Sequence, residues 1–170
     1  MFGSTLLNER GLHKCEDVLK KLQNIRPHNL QDVLRISFDE LDEEEKCVFL
    51  DIACLFIKMG MKRDEAIDIL KGCGFRAETV ITVLASKCLI KILPDHELWM
   101  HDQLRDMGRQ IVQDENLVDP GSRSRLWDHG EIMTMLMHKK VQLIASYIER
   151  YIFILSFFLP FFLSYIYHSF

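Results

Sequence analysis

Few side chains in this sequence have a type and spacing that could do chemistry. The densest cluster is Met100-His101-Asp102; Cys88 and His96 lie nearby, Asp51 sits inside a long apolar run, and Arg123 and Arg125 belong to a Ser-Arg-Ser-Arg stretch. An imidazole beside the start of a helix is a hydrogen-bond donor placed in a field that favours anions. From the residues alone, however, Met100 reads as core, His101 as a strand end and Asp102 as a cap on the following helix. Cys88, His96 and His101 match no zinc-ligand spacing, so no metal site is expected. Neither a G-x-S-x-G elbow nor a reactive-cysteine motif occurs, so no catalytic residue is expected and the chain is not read as an enzyme. Asp51 reads as lying on the exposed side of its helix, the alternative being a buried partner for a basic residue. Arg123 and Arg125 read equally well as anchors for the next helix and as parts of a solvated loop.

The elements that must position these residues follow from hydrophobic period and punctuation. Val18, Leu19, Leu22 and Ile25 have helical spacing that Arg26-Pro27 ends, because the residue before proline avoids the helical region. Leu30, Val33, Leu34, Ile36, Phe38 and Leu41 form an apolar stripe running up to Asp42. Asp42 and Glu45 have the spacing of a capping box, and Glu43, Glu44 and Glu45 complement the positive end of a helix dipole. The helix they open carries Val48, Phe49, Leu50, Ile52, Ala53, Leu55 and Phe56, too wide an apolar surface for one exposed face. It is expected to be the central core helix.

A loop at Lys58 to Arg63, a helix capped by Asp64 and ended by left-handed Gly72 and Gly74, and a helix from Ala77 to Leu89 come next. Ile90 to Leu93 and Glu97 to Met100 around Pro94-Asp95-His96 then predict a hairpin, with Ile90 and Ile92 facing Leu98 and Met100. Leu104, Met107, Gly108, Ile111 and Val112 make the following helix amphipathic. It stops near Asp114-Glu115, before the turn-rich Asp119-Pro120-Gly121-Ser122, and a last helical pattern spans about Asp128 to Met137. Helices, a two-stranded wing and another helix describe a mainly α, winged-helix domain: a helical bundle with a small β-hairpin wing.

Composition narrows the functional classes. The chain has 170 residues, 48% hydrophobic and 27% charged, which fits one folded domain with a small appendage and excludes a large multidomain enzyme. With 21 Lys and Arg against 25 Asp and Glu, no global basic field exists to hold nucleic acid. The helix before the wing offers only Arg76 and Lys87 and the wing carries Asp95 and Glu97, so no nucleic-acid partner is expected. Five cysteines without a CxxC pair read as reduced thiols of a cytosolic protein. All four Tyr and six of the 11 Phe follow residue 146, and Tyr151 to Phe170 contains no Asp, Glu, Lys or Arg. That hydrophobic, helical tail has the length to cross a bilayer core, about 20 residues, although Pro160 stands in its centre.

Four segments together carry a resemblance: VLRISFDELDEEEKCVFLDIACLF (Val33 to Phe56), ITVLASKCLIKI (Ile81 to Ile92), LWMHDQLRDMGRQIV (Leu98 to Val112) and PGSRSRLWDHGEI (Pro120 to Ile132). In this order they resemble the nucleotide-binding (NB-ARC) region of plant immune receptors of the Toll/interleukin-receptor, leucine-rich-repeat type. The resemblance implies that 1–26 ends the preceding helical subdomain, that 27–137 is the winged-helix subdomain and that 138–170 is an added hydrophobic tail. It implies that Met100, His101 and Asp102 are the family's Met-His-Asp motif, in which the histidine contacts the phosphate end of bound ADP. The G-x-x-x-x-G-K-[ST] loop that cradles phosphates is missing from this sequence. The implied role is therefore that of a truncated, regulatory part of an ADP-dependent switch in defence signalling, not an independent ATPase. ADP or ATP belongs to the complete receptor, and tight binding to this chain alone is not expected. The implied partners are the rest of the NB-ARC region or full-length receptors in the cytoplasm. A tail-anchored membrane adaptor using 151–170, or a truncated product without function, is the alternative.

Overall fold

The computed structural model describes residues 34–137. It begins in a helical stretch, 34–39, that buries Leu34 and Phe38 and is followed by a buried Leu41. Ile36 departs from the expected stripe and is 58% exposed, because two residues after Leu34 a helix has turned to its opposite side. Asp42 and Glu45 form the expected capping box: the Glu45 N–H donates to Asp42 Oδ1 at 2.8 Å and the Asp42 N–H to Glu45 Oε2 at 3.1 Å. They open α1 (Glu43–Asp51), which continues through a π-helical turn, Ile52–Phe56, and a 3-10 turn, Ile57–Met59. Val48, Phe49, Ile52, Ala53, Cys54 and Phe56 are wholly buried, so this is the central helix. Gly60 stops it at φ 60, a left-handed conformation that only glycine adopts without a Cβ penalty.

The next helix, α2 (Arg63–Gly72), is not capped by Asp64 as expected. The Lys62 N–H instead donates to Glu65 at 3.0 Å, while Asp64 pairs with Arg63 at 3.1 Å. Asp64 already lies inside the first turn, too late to cap it. Gly72 also stays helical, and only Gly74 is left-handed (φ 87), with the Phe75 N–H reaching back to the Leu70 carbonyl. Packed on α1 and α2 is α3 (Ala77–Ser86), through Ala77, Val80, Ile81 and Leu84.

The wing consists of β1 (Lys91–Ile92) and β2 (Leu98–Trp99), antiparallel, with Lys91 opposite Trp99 and Ile92 opposite Leu98. Part of the expected 58–63 loop joins it: the Leu98 N–H donates to Met61 O at 3.0 Å and the Arg63 N–H to His96 O at 2.8 Å. Ile90, Leu98 and Met100 are buried, as the alternation predicts, which leaves Lys91, Trp99 and His101 on the other side. The long helix α4 (Asp102–Glu115) lies across the central helix and buries Leu104, Met107, Gly108 and Val112. A Cβ at Gly108 would come within 2.8 Å of the Ala53 Cβ, so the two backbones approach more closely than any other residue allows. A short 3-10 turn, Pro120–Ser122, and α5 (His129–Met137) complete the described chain.

This mainly helical domain with a two-stranded wing has the expected winged-helix form. The expected 1–26 subdomain end, the boundary at 26/27 and the 138–170 tail, including the candidate anchor at 151–170, lie outside the described residues. Among the described residues no helix is long and apolar enough to cross a membrane. Cys47 and Cys54 are free thiols, but Cys88 takes part in a disulfide and departs from the expectation of reduced thiols throughout.

Candidate functional site

His101 stands where the wing hands over to α4. Its backbone is extended (φ -64, ψ 140), the conformation of a residue that precedes a helix, and its Nδ1 accepts the Gln103 N–H at 3.2 Å. The cap is therefore His101 and not Asp102 as expected from the residues. Asp102 has already entered the helix, where its exposed carboxylate pairs with Arg105 at 2.7 Å. A ring nitrogen that accepts a backbone N–H carries no proton, so the single proton of the neutral imidazole resides on Nε2 and remains available as a donor. Met100 is buried in the core, 2% exposed, and the imidazole itself is half-buried. Trp99 stands perpendicular to the His101 ring with centroids 6.0 Å apart, and the Lys91 ammonium lies 5.1 Å from the indole centroid. The structure thus brings Trp99 to His101 and Lys91 to Trp99. Hairpin alternation was the signal that could have found them, since residues 99 and 101 share the face that Leu98 and Met100 do not occupy.

Near the opposite end of α4 lie Asp51, Arg123 and Arg125, whereas His96 sits in the turn of the wing. Asp51 is wholly buried, not exposed: Arg125 Nε donates to its Oδ1 at 2.6 Å, and Arg125 Nη2 donates to the Cys47 carbonyl at 2.9 Å. The helix has no exposed side at this point because the segment after α4 runs over it. Arg123 is buried as well, reaching both Glu131 oxygens at 3.0 Å and the Asn116 carbonyl at 2.7 Å. Both arginines are thus anchors, Arg123 to α5 and Arg125 to α1. Lys58 adds a bond to the Trp127 carbonyl at 3.1 Å.

Elsewhere Cys54, Glu44 and Arg76 are committed to structure. Burial pushes the Cys54 thiol up to about 12, which removes it as a nucleophile near neutral pH. The backbone N–H and then the guanidinium of Arg76 hold the Glu44 carboxyl below its ordinary value. Arg76, one of two basic residues expected on the helix before the wing, is thereby tied to α1. Among the described residues no group of three His, Cys, Asp or Glu side chains could hold a metal ion.

A family model described as the winged-helix domain of Roq1-like disease resistance proteins matches residues 42–116, from the capping aspartate of α1 to the residue that ends α4. Disease resistance protein RPV1 of Vitis rotundifolia is 42% identical over 124 residues, 73% of this chain and 9% of that protein. Disease resistance protein RPP2A of Arabidopsis thaliana is 41% identical over 130 residues, 76% of this chain and 10% of its own length. TMV resistance protein N of Nicotiana glutinosa is 36% identical over 132 residues, 78% of this chain and 11% of its own. The chain spans about a tenth of the length of these curated relatives. Its winged-helix fold and these matches agree, and the chain belongs to the plant disease resistance proteins of the Toll/interleukin-receptor, nucleotide-binding, leucine-rich-repeat type, whose winged-helix domain it carries.

Proposed function

We propose that the chain is the regulatory winged-helix part of an intracellular immune receptor, in which His101 reads the phosphate end of a bound ADP. One observation carries this reading: His101 caps α4 through Nδ1, which leaves Nε2–H as a donor at the positive end of a 14-residue helix. A neutral donor there favours a phosphate oxygen without forming a fixed ion pair. Exchange of ADP for ATP would rearrange that contact, and the difference in binding free energy would shift the domain between closed and open arrangements. His101 then acts as a sensor and not as a catalyst. Met100 holds the motif to the core and Asp102 stiffens the first turn through Arg105. Because the sequence contains no G-x-x-x-x-G-K-[ST] loop, the bulk of nucleotide binding and any hydrolysis fall to other parts of the receptor, the natural partners of this domain.

Thermal unfolding of the complete chain with and without millimolar ADP tests the reading, since a ligand of the native state raises the midpoint. His101→Ala removes cap and donor together, whereas His101→Asp keeps a good cap and places a negative charge against the phosphate. We expect an ADP-dependent rise that both variants lose. A rise that both retain would remove His101 from the contact, and no rise at all would withdraw nucleotide reading from this chain, leaving docking onto receptor regions. The uncharged run 151–170 supports a second reading, a tail-anchored adaptor that pairs with full-length receptors. Resistance of the complete chain to alkaline carbonate extraction from membranes would favour it.

A further inference from the structure

We propose that Trp99 is a positioning residue for His101, holding the imidazole in the one ring orientation that directs Nδ1 to the helix and keeps the proton on Nε2. The proposal deepens the nucleotide reading and rests on it for its functional consequence. Alternation along the wing continues past β2, with Leu98 and Met100 buried and Trp99 and His101 on the other side. The two rings are perpendicular (89°) at 6.0 Å, inside the range in which aromatic pairs attract edge to face. The indole is itself held: Lys91 lies directly across the hairpin from Trp99, with its ammonium 5.1 Å from the ring centroid.

Such a support is needed because the cap bond is weak. At 3.2 Å the Gln103 N–H to Nδ1 contact lies at the long end of hydrogen-bond distances. Turning the imidazole by half a circle about its Cβ–Cγ bond exchanges Nδ1 for a carbon that cannot accept, and this torsion is broad and roughly two-fold. In the turned ring either nitrogen could carry the proton, and Cε1 takes the place of Nε2, so a phosphate facing the site would meet a carbon instead of the N–H donor. Trp99 is the aromatic ring packed on His101 among the described residues, and it distinguishes the two orientations by polarity, because the imidazole edges exchanged by the half-turn are alike in shape but one carries the Nδ1 lone pair and the other a C–H.

The test needs no nucleotide. In the complete, nitrogen-15-labelled chain at mildly alkaline pH, ring correlations report which imidazole nitrogen carries the proton, and the His101 signals are those that vanish in His101→Gln. We expect His101 to be predominantly Nε2–H in the native chain and in Trp99→Phe, which keeps an aromatic ring at the position. Trp99→Leu should lower the ratio of that tautomer to the other by roughly two- to ten-fold. A purely structural role would lower the unfolding midpoint of Trp99→Leu without changing the tautomer of the folded molecules, and that result would overturn the proposal. Should Trp99→Leu fail to fold, Lys91→Met, which leaves both rings in place, decides in its stead: it must move the ratio in the same direction, and an unchanged ratio overturns the proposal. Failure here leaves the ADP reading standing, and an absent ADP response in the native chain leaves the positioning standing.

Discussion

The two ends of α4 are both polar, yet opposite means hold them. At the N-terminal end one 3.2 Å bond from Gln103 and one ring contact from Trp99 position a half-buried His101. At the C-terminal end Arg125 and Asp51 are 3% and 0% exposed and joined at 2.6 Å, with a second bond to the α1 backbone, while Arg123 grips Glu131 of α5 with both carboxylate oxygens. On the proposed reading, a side chain that answers to a ligand must be able to move when the ligand changes, and a few weak contacts allow that. On the same reading, a segment that conveys the change onward must not slip against its helix. A buried ion pair is poor evidence of net stability, but it fixes which path the segment takes, because every other path leaves a charge buried without its partner.

The most damaging way to break this contrast is Arg125→Met, which leaves Asp51 buried without its cation. It should cost about 3–5 kcal/mol in urea unfolding, whereas Asp51→Leu combined with Arg125→Met should recover most of the loss. A single-variant cost as small as that of a surface ion pair would erase the difference between the two ends. Between them, Gly108→Ala would drive a methyl into Ala53 at the α1 crossing. A loss of about 1–3 kcal/mol is expected, partly restored by Ala53→Gly, with thermal unfolding as the measurement. At the lightly held end, His101→Ala should cost only about 1 kcal/mol, and His101→Asn should restore it, because asparagine caps equally well.

The smallest effect lies away from α4 and provides a reference for an exposed pair. Glu44 is held below its ordinary value by Arg76, so its contribution is present above that ordinary value and is lost as pH falls through the lowered one. Glu44→Gln should therefore lower the unfolding midpoint slightly at neutral pH, leave it unchanged at strongly acid pH, and so flatten the acid side of a plot of midpoint against pH.

Much of the fold was legible because its signals are local. The Asp42 and Glu45 box, the left-handed Gly74 and the hairpin around Pro94-Asp95 each depend on residues within a few positions of one another. Of the site, the position of His101 was legible but its function as the cap was not. Cap preferences favour aspartate, and the choice between two adjacent residues turned on where the extended backbone ends. Trp99 was overlooked because a tryptophan in a strand carries no mark of what it packs against.

By itself the sequence determined the helices, the wing and their order, since hydrophobic period, caps and turn residues act over distances of a few residues. It also determined, through four short segments in order, the family to which the domain belongs. Only the tertiary structure decided that Asp51 faces inward and that Arg125, 74 positions later, neutralises it. One polar residue in a wide apolar helix has no face until another segment covers it. Only the tertiary structure, too, gave His101 its cap, its tautomer and its indole neighbour, because a proton's place on an imidazole depends on which atoms surround the ring and not on which residues precede it.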